Sequence, residues 1–356
     1  MSSSFDYCHD PFSAALFDVY RYHQDSEIYQ QKLQLRQQLY NLLECVIKDK
    51  FDLFIVGSTL SQFSLKCSDL DLCLVVYDSD GNVDQDYLRD RCMAVQKLTQ
   101  IQEIILSENV CSTCDLFSRA VVPILRFTEK STQITVDLNI NRIVTLKNSF
   151  LLTCYQSLDP RIAPLVVAVK CWARKNGINC SYNGTLSSYS LTLMVIHFLQ
   201  MGCNPPVLPH LHSMFKEDFF QLVLQVIFFE WKSDMSKILH LVLNVTKNHF
   251  KQANFHPLGR LFVEFINYYS HPHVFNNIIS IRHPISFPFK RQSEDSSLIM
   301  IEDPFELKNT AYSVYHQYKW DHIRWTFSCT NVRIYNGLFT PNDFECEENS
   351  IRKNYN

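Results

Sequence analysis

The sequence predicts an α+β protein: a small α/β unit over residues 48–146, followed by a mainly helical domain over residues 147–344. Short runs rich in Val, Ile and Leu, bounded by polar turns, cluster at 52–56, 70–76, 121–127 and 134–138 and read as strands. After Asn148 the strand signal fades, and longer stretches with helical periodicity follow, separated by proline-containing loops such as Asn204-Pro205-Pro206. A chain of 356 residues with 46% hydrophobic and 19% charged residues is long enough and apolar enough to bury two cores.

Taken in order, residues 13–47 carry Leu35, Leu39, Leu42, Leu43 and Val46 on one stripe with Gln and Lys opposite, which predicts helix. Residues 84–106 read as a helix between the second and third strands, and 128–133 as a hairpin turn. In the second domain, 161–175, 187–201, 217–231, 235–250 and 257–269 each fit a helix. The polar stretch within 287–300 reads as a loop, and residues 345–356 as a frayed tail.

Several function classes are excluded by composition. Seven glycines are too few and too scattered for a GxGxxG or GxxxxGK[ST] loop, and neither pattern occurs. With 33 Lys+Arg against 36 Asp+Glu, the net charge is -3, so any grip on nucleic acid is expected to be weak or local. Thirteen cysteines without a regular framework, and no apparent signal peptide, fit reduced thiols in the cytoplasm or nucleus. No apolar run approaches the length of a membrane span.

The stretch 51–76 carries the chemistry. A hydrophobic run ends in Gly57-Ser58, and a second begins with Asp69-Leu70-Asp71. In a strand Asp69 and Asp71 project side by side, and two adjacent carboxylates repel unless a cation such as Mg2+ lies between them. Gly57 permits close approach of backbone to phosphate, while Ser58 offers a hydroxyl and an amide at a helix start. A bare DxD is worth little, since Asp78/Asp80 and Asp84/Asp86 form the same pattern in a loop where solvated carboxylates suffice. A purely structural role for Asp69/Asp71 therefore stays open. Beyond that pair, Asp137 is the one Asp placed in a predicted strand interior, and burying it demands a partner or a ligand. With it, the three carboxylates could hold two Mg2+ about 4 Å apart.

Other candidates are weaker alone. Lys170 and Arg174 share one helix face, which ordinarily means a solvated face and, beside a triphosphate, a clamp. Ser188 and Tyr189 open the next helix and could supply a phosphate hydroxyl and a platform for a base, with capping and core roles as the alternative. Cys111-Ser-Thr-Cys114 has no second CxxC, so free thiols are expected. His210 and His212 read as surface histidines.

Gly57-Ser58, Asp69-x-Asp71 and Asp137 together resemble the signature of DNA polymerase β-type nucleotidyltransferases. Gly184-Thr-Leu-Ser-Ser-Tyr189-Ser-Leu resembles the second-domain motif of terminal RNA nucleotidyltransferases, and Ile301-Glu302-Asp303-Pro304-Phe305-Glu306 resembles their nucleotide-recognition motif. Over residues 13–320 the chain is most similar to cytoplasmic poly(A) polymerases of the germline-development type. The resemblance implies a palm-like mixed sheet in a catalytic domain over 48–146 and a helical central domain over 147–344, with a cleft between them. It also implies that residues 1–47 pack on the central domain, and that 345–356 form a tail.

The same resemblance makes Asp69, Asp71 and Asp137 the metal ligands for two Mg2+, with Mn2+ as a substitute. Gly57, Ser58, Lys170, Arg174 and Ser188 would hold phosphates. Tyr189 would stack on the base, Asn148 would contact the ribose, and Asp303, Glu306 and Asn309 would belong to the recognition loop. In the uridylyl-adding branch a histidine lies six residues after the motif's aspartate, where this chain has Asn309, so ATP is the expected substrate. The implied activity is template-independent addition of AMP to mRNA 3′ ends in the cytoplasm, with a separate RNA-binding protein bringing the enzyme to its message. A terminal uridylyltransferase is the alternative within the class, and an inactive scaffold the alternative outside it.

Overall fold

Period-two alternation sets the layout of the sheet in the computed structural model, which describes residues 10–215, 239–290 and 297–344. Five strands, β1 (Phe51–Ile55), β2 (Leu70–Val76), β3 (Cys111–Phe117), β4 (Ile124–Glu129) and β5 (Thr135–Ile140), lie in the order β1-β2-β5-β4-β3. Only β2 and β5 run parallel; the other neighbours are antiparallel, so the sheet is mixed, as expected. Leu70, Leu72, Leu74 and Val76 of β2 share one buried cluster with Leu125 and Phe127 of β4 and with Val136, Leu138 and Ile140 of β5. The residues between them, Asp71, Arg126 and Asp137, therefore fall on the other face.

The cluster also takes in Leu35, Leu39 and Leu43 of α2 (Ser26–Glu44), and Leu98, Ile101 and Ile105 of α5 (Arg91–Ser107). Each such leucine removed from water contributes about 2 kcal/mol. The N-terminal segment is not one helix. Asp25 adopts an extended conformation and caps α2 by accepting from Glu27 N at 2.9 Å, which separates it from α1 (Pro11–His23). Asp90 does the same for α5, accepting from Cys92 N at 2.7 Å. The helix expected over 84–106 thus becomes a short α4 (Asp86–Arg89) and α5. A four-residue turn, α3 (Gly57–Leu60), follows β1.

The third predicted strand begins later than expected, at Ile124 rather than 121, because Pro123 lacks the N–H that a ladder needs and Val121 is exposed. Strand β3 was invisible to hydropathy. It is a polar edge strand with an irregularity between Cys111 and Thr113, formed by pairing with β4.

By chain contacts, Tyr22–Thr153 form one unit, while residues 10–21 and 154–344 form another among the described residues. The sequence reading places all of 1–47 against the helical domain. Packing divides it, because the leucine stripe of α2 belongs to the sheet's core, while α1 as far as Arg21 lies with the helical unit, where Phe12 meets Phe262 edge-on at 6.0 Å.

The helical unit is built from α7 (Ile162–Lys175), α8 (Ser188–His197), α9 (Leu211–Met214), α10 (residues 239–249), α11 (Leu258–Ser270) and α12 (Gln317–Tyr335). Helix α6 (Ile143–Leu158) contains the division between the units. Trp172 of α7 is fully buried against Phe327 of α12 at 4.9 Å and donates its indole N–H to Thr330. Helices α6 and α12 were not anticipated from the sequence, although Trp320, Ile323, Phe327 and Thr330 are buried at helical spacing. The helix expected at 217–231, the start of that at 235–250, and the tail lie outside the described residues, as does part of the loop at 287–300.

Candidate active site

One row of side chains crosses three strands. Asp71 of β2 stands directly opposite Asp137 of β5, and Asp137 stands directly opposite Arg126 of β4. Arg126 donates from Nε and Nη2 to the two carboxylate oxygens of Asp137 at 2.7 and 2.6 Å, and the same Nη2 reaches Asp69 at 3.4 Å. Asp69 precedes β2 by one residue, so the three predicted carboxylates do converge. The sequence reading missed Arg126. Its position between Leu125 and Phe127 put it on the acid face, but only the strand register reveals that it faces Asp137.

Gly57 matters here for what it lacks. Its φ is +67°, and a Cβ there would lie 2.4 Å from Asp71 Oδ2. The bare glycine thus lets the Asp71 carboxylate rest against the backbone. The Gly57 amide donates to Ser149 Oγ on α6 at 2.7 Å, and the Ser149 hydroxyl in turn donates to the Thr145 carbonyl at 2.6 Å. Ser58 lies in the α3 turn, partly exposed, and accepts through its carbonyl from Phe63 N. Asn148 neighbours Ser149 on α6.

Below the acids lies a residue with no signal in the sequence. Lys32 of α2 is 3% exposed, and its ammonium donates to the carbonyls of Ser68 at 2.7 Å and Asp69 at 3.5 Å and to Thr59 Oγ1 at 3.4 Å. Burial pushes its pKa down, and the charges of Asp71 and Asp69 act against that shift.

The remaining candidates belong to the helical unit. Lys170 is buried on α7, with Arg174 partly exposed one turn on. Ser188 begins α8 and donates to Asn179 Oδ1 at 3.1 Å. Tyr189 donates to Asp303 Oδ2 at 3.1 Å, and burial together with the Asp303 charge raises its pKa well above the ordinary range. The other Asp303 oxygen accepts from the Phe305 and Glu306 amides at 2.9 and 2.7 Å, folding the recognition loop into a tight turn. Glu306 lies 3.9 Å from the Lys308 ammonium.

Asn309 fastens the same loop. Its Oδ1 accepts from Ile301 N and Ala311 N at 3.1 and 2.9 Å, and its Nδ2 donates to Ile299 O at 2.8 Å. The Asn309 side chain, which stands where the uridylyl-adding branch has a histidine, is engaged with loop backbone. His212 is not a plain surface histidine: its ring packs 5.3 Å from Phe305, and burial lowers its pKa to about 4.

The donor set of Asp69, Asp71 and Asp137 suits a hard divalent cation, being oxygen only, with Asp71 and Asp137 on one strand row and Asp69 just before β2. Among the described residues no group of three His, Cys, Asp or Glu side chains is closed tightly enough to hold a metal ion as it stands. The charge that a cation would neutralise is met here by Arg126. Among the described residues no helix is long and apolar enough to cross a membrane.

Comparison with known proteins places these features. The central palm domain of mitochondrial-like poly(A) RNA polymerase matches residues 12–157, and the Cid1 family poly A polymerase model matches residues 257–309. Poly(A) RNA polymerase gld-2 homolog A of Drosophila melanogaster is 34% identical over 337 residues, covering 91% of this chain and 23% of its own length. The chain spans about half the length, or less, of the curated relatives it matches. A solved GLD-2/RNP-8 complex aligns with TM-score 0.71 and 31% identity over 94% of this chain and 98% of that chain. A histidine-to-asparagine variant of the Cid1 poly(U) polymerase bound to MgATP aligns with TM-score 0.72 and 25% identity over 95% of this chain and all (100%) of that chain.

Proposed function

The chain belongs to the Cid1 family of poly(A) polymerases, with GLD2 enzymes among its relatives, and on that premise we propose that it adds AMP from ATP to RNA 3′ ends without a template. The observation that carries this reading is the row Asp71–Asp137–Arg126 with Asp69 beside it. Three carboxylates on one patch of sheet are costly to fold unless positive charge is brought to them.

Asp69, Asp71 and Asp137 would hold the divalent cation, two Mg2+ ions or Mn2+ in this proposal, which would supply acidity at the RNA 3′-hydroxyl and charge for the departing pyrophosphate. Magnesium bound with ATP in a Cid1 variant supports the choice of cation. Asp137 orients the attacking hydroxyl, while Gly57, its amide bonded to Ser149, leaves room for the Asp71 carboxylate and for close approach of phosphate, and Ser58 offers its amide and hydroxyl to the β and γ phosphates. Lys170, Arg174 and Ser188 add phosphate contacts, Asn148 contacts the ribose, and Tyr189, braced by Asp303, presents its ring to the base. Glu306 and Asn309 complete the recognition loop.

ATP is the proposed substrate because no imidazole stands at position 309. Terminal uridylyl transfer is the second reading, favoured by one observation: structures of the Cid1 poly(U) polymerase align with this chain at TM-scores of 0.73 and 0.72 and 25% identity. The GLD-2/RNP-8 structure supports an RNA-binding partner for this chain, and a net charge of -3 agrees with an enzyme that relies on one. A cytoplasmic setting goes with the GLD2 relationship.

The test is direct. Labelled oligo(A) RNA is incubated with Mg2+, each NTP singly, and wild type or Asp71→Ala, with and without a GLD-2-type partner. Tailing with ATP alone, reduced about a thousandfold or more in the variant, is expected. UTP preference selects the second reading, and product formation indifferent to Asp71 overturns both.

A further inference from the structure

Lys32 and Arg126 both lie at the acid patch, and they are held in different ways. The Lys32 ammonium is buried and fixed to the carbonyls of Ser68 and Asp69, a point charge with no room to leave. The Arg126 guanidinium is one-third exposed, at 34%, and its neighbour on the sheet edge, Phe117, has its ring 6.0 Å away and is itself exposed. Arg126 occupies both oxygens of Asp137 and touches Asp69 with the same nitrogen.

We propose that Arg126 is a positioning residue that competes with the divalent cation for Asp137 and Asp69, and so sets how tightly the acids bind metal. The inference rests on the reading of these acids as the metal-holding group. Its physical basis is that a guanidinium fork and a metal ion cannot share the same carboxylate oxygens, so loading must loosen at least one Arg126–Asp137 bond. Before loading, the fork holds the Asp137 and Asp69 carboxylates together, with Asp71 opposite Asp137 in the strand register. After loading, the exposed guanidinium has solvent to move into, while Lys32 stays and keeps the Ser68–Asp69 backbone in register. The site is thereby assembled ahead of the metal, at a cost in metal affinity.

The experiment uses Mn2+ as the probe, with free Mn2+ followed by electron paramagnetic resonance on the full chain, for wild type, Arg126→Gln, Arg126→Lys and Asp71→Asn. Arg126→Gln is expected to bind Mn2+ about tenfold more tightly, the size of one screened unit charge a few ångströms away. Its melting temperature should fall in chelator and recover with Mn2+ by more than the wild type gains. Arg126→Lys, which keeps the charge and loses the fork, should lie between. Equal or weaker Mn2+ binding by Arg126→Gln overturns the proposal. If that variant fails to fold, Arg126→Lys decides: tighter binding than wild type supports competition, and unchanged or weaker binding overturns it. Wild-type Mn2+ binding that survives Asp71→Asn removes the acids as the metal site and overturns both this inference and the reading beneath it, an outcome distinct from failure at Arg126 alone.

Discussion

At the scale of single residues, Gly57 makes the sharpest demand. An alanine there meets strain at φ +67° and an Asp71 oxygen 2.4 Å from its Cβ, so the carboxylate has to rotate away. Gly57→Ala should cost about 1–2 kcal/mol of stability, read by thermal melting, while lowering tailing by at least about a hundredfold. Activity loss in proportion to stability loss alone would refute the close-packing role. Asn309 works differently, through three hydrogen bonds to its own loop. Asn309→Ala should raise the KM for ATP severalfold with a smaller change in kcat, because the loop carrying Asp303 and Glu306 loosens; steady-state kinetics with ATP and UTP checks this.

At the scale of elements, α7 is anchored by a buried ion pair. Arg161 is fully buried, grips both oxygens of Asp159 at 2.9 and 2.7 Å, and donates to Asn254 and to the His256 carbonyl. Removing one partner leaves a buried charge unmatched, so Arg161→Met should destabilise the protein by about 3–5 kcal/mol in urea unfolding. The elements also show where pattern reading succeeds. Strand β2 is legible as a short run of Leu and Val bounded by polar turns, and α2 as a leucine stripe. Strand β3 did not, since an edge strand needs no apolar face, only a neighbour with free backbone groups. Helix α12 was passed over because exposed aromatics such as Tyr318 and Trp325 blur its buried stripe of Trp320, Ile323 and Phe327.

At the scale of the whole molecule, pH dependence follows from its buried histidines. His197 and His212 both have pKa values lowered to about 4, chiefly by burial. A base whose folded pKa lies below its unfolded value of about 6.5 stabilises the fold above pH 6.5 and loses that contribution as pH falls toward 4. His197, 5% exposed and bonded to the Tyr269 hydroxyl, should account for about 3 kcal/mol of that loss. Urea midpoints measured from pH 7.5 to 4.5 should fall steadily, and His197→Gln should flatten the fall. A slope unchanged in that variant would assign the acid sensitivity elsewhere. The net charge of -3 gives a second expectation: without a partner the chain should extend generic RNA poorly at physiological salt, a point settled by the tailing assay already described.

The sequence by itself determined the mixed α/β character, the helical second half and the three acids, because each rests on local periodicity and residue type. Asp69 and Asp71 were legible from their spacing at the head of an apolar strand, and Gly57 from its place at the end of another. Tertiary structure alone decided what meets them. Strand register set Arg126 opposite Asp137, the packing of α2 brought Lys32 beneath Asp69, and the fold of the 299–311 loop tied up the Asn309 amide. Those partners lie 11, 37 and up to 10 positions apart along the chain, and the backbone of Ile299 and Ile301 that holds Asn309 leaves no mark in side-chain pattern. Periodicity tells which face a residue takes; only pairing between elements tells what shares that face with it.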